Sequence, residues 1–152
     1  MGLDMYLTKK VYIGAKWEDR KVKGTVDITI NGEPQYIDFN RITYIEEDVA
    51  YWRKANAIHK WFVDKCQGGI DECQETKIDY EKLMELLSLA KQVKADPRLA
   101  EELLPSQSGF FFGSTNYDSW YFEDIDTTAE QLEKILAEPN ANKSQYIYRA
   151  SW

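Results

Sequence analysis

The chain has a single histidine, His59, and two cysteines, Cys66 and Cys73, among 152 residues. A disulfide framework needs more cysteine than this, and one imidazole with two thiols is thin for structural zinc, so no metal and no cofactor is expected. No stretch approaches the ~20 apolar residues that a bilayer-spanning helix needs, and no membrane partner is expected. Net positive charge is also missing. With 19 basic and 26 acidic residues the formal charge is −7, which argues against bulk nucleic-acid binding, where clustered cations must meet phosphate. The opening "MGLDMYLTKK" lacks the basic-then-apolar layout of a secretion signal, so a cytoplasmic setting with reduced thiols is expected.

Aromatic residues are abundant: five Trp, ten Tyr and six Phe, or 14% of the chain, beside an apolar share of 43%. That supply of large apolar faces excludes a disordered chain and suits one domain over residues 1–152. In "LDMYLTKKVYI" the residues Leu3, Met5, Leu7, Val11 and Ile13 alternate with polar neighbours, the period of a half-buried strand. After a polar loop, "TVDITINGEPQYIDF" places Val26, Ile28 and Ile30 on one face. Asn31-Gly32 supplies a tight hairpin turn, and a return strand would carry Tyr36, Ile37 and Phe39. "RITYIEE" offers a further strand.

From about Glu47 to Cys66 the apolar spacing predicts a helix, ended by Gly68-Gly69. Asp79 caps a second helix whose stripe is Leu83, Leu86, Leu87, Ala90 and Val93. Asp96-Pro97 opens a short helix that stops at Pro105. "SGFFFGS" reads as a central strand, and Thr127 with Glu130 as a capping box that opens a helix with Leu132, Ile135 and Leu136 inward. "SQYIYRASW" alternates and gives a last strand. The fold expected is α+β: a single domain in which an antiparallel sheet with an Asn-Gly hairpin packs against three or four helices.

Two stretches carry candidate chemistry. On the first predicted helix, Trp52, Ala55, His59, Phe62, Val63 and Cys66 share one arc, while Arg53, Asn56 and Lys60 run along its border. Trp61 and Lys54 point away from both. His59 is therefore open to three readings: a buried structural histidine, a ligand contact at a pocket rim, or a general base. In the second reading Trp52 stacks on a base, Arg53 and Lys60 hold phosphate, and Asn56, His59 and Ser114 read polar edges. No nucleophile elbow or phosphate-binding loop accompanies them, and no catalytic residue is assigned. The second stretch, "LLPSQSGFFFGSTNYDSWYFED", surrounds the predicted strand with uncharged donors: Ser106, Gln107 and Ser108 before it, Ser114, Thr115, Asn116 and Tyr117 after it. Such groups beside aromatics suit a small-ligand pocket.

The segments "MGLDMYL", "AYWRKANAIHKWFV", "LLPSQSGFFFGSTNYDSWYFEDI" and "YIYRASW" resemble a group of small proteins encoded in bacteriophage and prophage genomes. The resemblance implies a host-cytoplasmic setting and, by analogy, interference with host defence. It carries over no site residues. The leading expectation is a non-enzymatic protein that sequesters a small anionic ligand such as a defence-signalling nucleotide. One alternative is an interaction protein that blocks or mimics a host macromolecule, and another is a nucleotide hydrolase using His59. A homodimer is expected from the richness in aromatics.

Overall fold

The computed structural model describes residues 2–152, and for Arg20 the backbone alone. Alternation around Met5 and Leu7 gives strand β1 (Asp4–Tyr12), with both side chains fully buried. The Asn-Gly turn then joins β2 (Ile28–Ile30) to β3 (Glu33–Gln35), its central residues at φ 51° and 82° as a tight hairpin turn requires. Next come β4 (Tyr44–Arg53), α1 (Asn56–Cys66), β5 (Thr76–Ile78), α2 (Tyr80–Ala95), α3 (Ala100–Leu103), α4 (Ser119–Leu136) and β6 (Gln145–Ser151). The main sheet has the order β4-β1-β6-β5 and is antiparallel throughout, and β2-β3 form a separate ribbon. The architecture is α+β, as the sequence suggests.

One face of the sheet presents Met5, Leu7, Ala50, Trp52, Tyr148 and Ala150 to a core shared with the helices. Helix α2 contributes the expected stripe, Leu83, Leu86, Leu87, Ala90 and Val93, all buried. Each buried leucine contributes roughly 1.5–3 kcal/mol of transfer free energy, so this stripe is a main anchor. The Phe62 and Tyr148 rings stack at 3.9 Å, fastening α1 to β6. Helix α4 is tied to the end of β4 in two places. The Gln131 side chain accepts from Tyr51 N at 2.9 Å and donates to Tyr51 O at 3.2 Å, acting as a strand edge, and Trp52 Nε1 donates to Thr128 Oγ1 at 2.9 Å. At the other end of α4, the Tyr121 hydroxyl donates to Leu104 O at 2.7 Å.

Four expectations need correction. The chain expected to be helical from Glu47 stays extended through Arg53, and the helix starts at Asn56. Trp52, Ala55 and His59 fit helical spacing, but Ala50 and Trp52 fit strand alternation equally well, and Lys54 at φ +58° breaks the run between them. "SGFFFGS" forms no strand: it turns at Gly109, leaving Phe110 and Phe111 exposed and only Phe112 buried. Helix α4 begins at Ser119, where Asp118 accepts from Trp120 N and Tyr121 N, so Thr127 and Glu130 lie within the helix. Finally, β3 ends at Gln35, so the return strand does not carry Tyr36, Ile37 and Phe39, and Ile28 and Ile30 are exposed. Among the described residues no helix is long and apolar enough to cross a membrane.

Candidate functional site

His59 has no solvent exposure. Its Nε2 lies 2.9 Å from Asp71 Oδ2 and its Nδ1 2.7 Å from the Tyr148 hydroxyl, with the ring edge-on to Phe112 at 5.2 Å. A carboxylate can only accept, so Nε2 is assigned the proton and Nδ1 accepts from Tyr148. Burial pushes the Tyr148 phenol well above its usual range, which keeps it a donor. Asp71 also accepts from Trp152 Nε1 at 3.1 Å, so the chain Tyr148–His59–Asp71–Trp152 pins β6 and its terminus to α1. Of the three readings of His59, the structural one fits this geometry. The imidazole is fully enclosed and both of its nitrogens are engaged within the protein. Asp71 returns to His59 because Gly68 and Gly69, both at positive φ, reverse the chain after α1. In the sequence that glycine pair marks only the end of the helix.

Asn56 is likewise committed to structure. Its Nδ2 donates to Phe112 O at 3.1 Å and Ser114 O at 2.9 Å, and its Oδ1 accepts from Gln107 N at 3.0 Å. It clamps both limbs of the loop 106–117, which is also cross-linked by Ser106 Oγ donating to Thr115 O and Ser106 N donating to the Tyr117 hydroxyl. Ser114 Oγ accepts from Asn116 N, while Ser108, Thr115 and Asn116 lie on the loop surface. Trp52 is 2% exposed, sealed under α4 by its bond to Thr128, and has no face for stacking. Trp61 does not point to solvent either: it is 4% exposed. Lys60 pairs with Asp64 at 2.7 Å and lines a separate hollow with Trp61, so it does not meet Arg53.

What the fold does build is a cleft of about 290 Å³ between the end of β4 and the N-terminal turns of α4. It is lined by Arg53 and Lys54 from the end of β4, by Asp118, Trp120, Tyr121 and Asp124 from the start of α4, and by Asn56, Ala57, Gly113 and Ser114. Three of the expected contacts, Arg53, Asn56 and Ser114, therefore do line one cavity. Among the described residues neither Arg53 nor Lys54 forms an ion pair, and the Trp120 indole is 73% exposed. Positive φ at Lys54 turns its side chain out of the strand line, and the Asp118 cap fixes the first turn of α4 under Trp120. The Asp124 carboxyl is pushed up to about 7 by burial, then by the neighbouring charges of Glu123 and Asp118. Its oxygens have no hydrogen-bond partner among the described residues, since only its backbone carbonyl is engaged, by Thr128.

Sequence reasoning passed over Lys54, Asp118, Trp120 and Asp124. Trp120 and Asp124 are one turn apart on a helix whose start was placed too late, which hid their shared face. Among the described residues no three His, Cys, Asp or Glu side chains gather as a metal-holding group. Burial pushes the Cys66 thiol up to about 11, so it stays protonated and is a poor nucleophile. Compared with known protein families, curated proteins and solved structures, the chain matches none.

Proposed function

We propose that this chain is a binding protein whose β4–α4 cleft holds a small planar anion of the nucleotide kind. The observation that carries the reading is the meeting, in one cleft, of an exposed indole and two cations that form no ion pair among the described residues. Arg53 and Lys54 would hold phosphate oxygens through charge-assisted bonds, and the Trp120 face would stack a base. Trp120 thereby takes the role that the sequence reading gave Trp52. With the likeness to phage-encoded proteins, sequestration of a host signalling nucleotide is the role we assign to such binding. Hydrolysis through His59 has no geometric support, because that ring is enclosed.

A second reading, a protein that blocks a host macromolecule, is favoured by one feature. The arm around β2 and β3 exposes Trp17, Ile30 and Tyr36 at 50%, 55% and 87%. Isolated apolar side chains are ordinary on surfaces, but three large exposed ones within residues 17–36 suit an interface. Mass spectrometry of small molecules released by heat from protein purified out of bacterial cells separates the two. A recovered nucleotide supports the cleft reading, and an empty release supports the arm.

A further inference from the structure

Trp120 and Asp124 lie four residues apart on α4 and both line the cleft. Side chains at that spacing stand one above the other on a helix, with Cβ atoms roughly 5–6 Å apart. A ring stacked on the Trp120 face would therefore present an edge to the Asp124 carboxyl. That carboxyl is half-buried, faces the cleft and makes no hydrogen bond among the described residues, whereas Asp118 Oδ1 is occupied in capping α4. The Asp124 oxygens are not among the buried polar atoms left without a partner, so solvent reaches them, and a ligand with adjacent N–H donors would replace that water.

An ionised carboxyl with both oxygens free is a pure acceptor and takes two adjacent N–H donors side by side. Among the common bases, guanine presents two such donors next to each other, N1–H and the N2 amino group. Adenine and cytosine set one donor beside an acceptor, and uracil sets its single N–H between two carbonyls. Resting on the reading of the cleft as a nucleotide site, we propose that Asp124 reads the base and selects guanine.

The charged groups around this carboxyl are Asp118 and Glu123 on its own helix, and Arg53 and Lys54 across the cleft. Burial and the two acids raise this carboxyl to about 7. Guanine's donors favour the ionised form, so binding draws the proton off and tightens as pH rises from about 6 to about 8.

The test is calorimetric titration at about pH 8 of the parent protein and Asp124→Asn with guanosine, inosine and adenosine monophosphates. The parent is expected to bind the guanine nucleotide at least about tenfold tighter than the other two, inosine having lost the N2 donors. Asparagine offers one donor and one acceptor, so Asp124→Asn is expected to move the preference to adenine. A thermal melt no lower than the parent's shows that the variant is folded. Equal affinity of the parent for all three, or a guanine preference that survives in Asp124→Asn, overturns the base assignment and leaves the nucleotide cleft standing. If the parent binds none of them, both readings fall.

Discussion

At the scale of single residues, His59 and Asp124 show how differently a buried and a half-buried polar group are treated. His59 has a partner on each ring nitrogen and no exposure, so its hydrogen bonds replace those lost to water. Changing it to Ala leaves Tyr148 and Asp71 short of a partner and opens a cavity. His59→Ala is expected to lose about 2–4 kcal/mol in urea denaturation while any ligand affinity at the cleft is unchanged. An unaltered midpoint would show that the ring is not enclosed as described. Asp124 lacks such partners and is half-buried, and its carboxyl is raised from 3.8 to about 7. The folded state thus holds the proton more tightly than the unfolded chain, and stability falls as pH rises from about 4 through about 7. Asp124→Asn removes that slope. Its melting temperature is expected to exceed the parent's at about pH 8 and to converge with it near about pH 4, whereas equal melting at both would place the carboxyl in water.

At the scale of elements, the loop 106–117 behaves as a fixed wall because Asn56 clamps it from the start of α1. Asn56→Ala frees Gln107 N and two carbonyls at once, at an expected cost of about 1–3 kcal/mol. Hydrogen exchange should quicken most at the Gln107 amide, and slow exchange there in the variant would mean another group holds the loop. The hairpin is the opposite case. Gly32 sits at φ +82° with open space around it, so Gly32→Val strains the turn without a clash. Since the ribbon stands apart from the core, the variant is expected to lose the Ile28–Gln35 pairing by NMR with little change in global melting. Elements with one strong period were legible in the sequence: β1, β6, the α2 stripe and the Asn-Gly turn. The β4–α1 boundary was not, because Trp52 satisfies both periods and the break rests on Lys54 taking positive φ, an uncommon choice for a non-glycine residue. The phenylalanine run misled for another reason: Asn56 claims the carbonyls of Phe112 and Ser114, so the segment is held by a side chain rather than by a neighbouring strand.

At the scale of the whole molecule, a formal charge of −7 repels an anion at long range, so a nucleotide site must rest on local cations. Screening beyond about 8 Å at physiological salt confines that repulsion, so within the cleft Arg53 and Lys54 act against only the neighbouring acids Asp118 and Asp124. The cleft itself was only partly legible. Arg53 was singled out from sequence, but its opposing wall lies on α4, far along the chain, and meets it only because Gln131 and Thr128 fasten that helix to β4. The expected partnership of Arg53 with Lys60 assumed one continuous helix, and it ends where the strand does. The most direct measurement is a calorimetric titration of guanosine monophosphate into the parent protein and into the triple variant Arg53→Ala, Lys54→Ala, Trp120→Ala. All three side chains are exposed, so the variant should melt close to the parent, exposed charges adding only about 0–1 kcal/mol each. Saturable binding by the parent that weakens about 100-fold or more in the variant is the expected result. A parent that binds nothing, or a triple variant that binds as tightly as the parent, would contradict the cleft as the functional site.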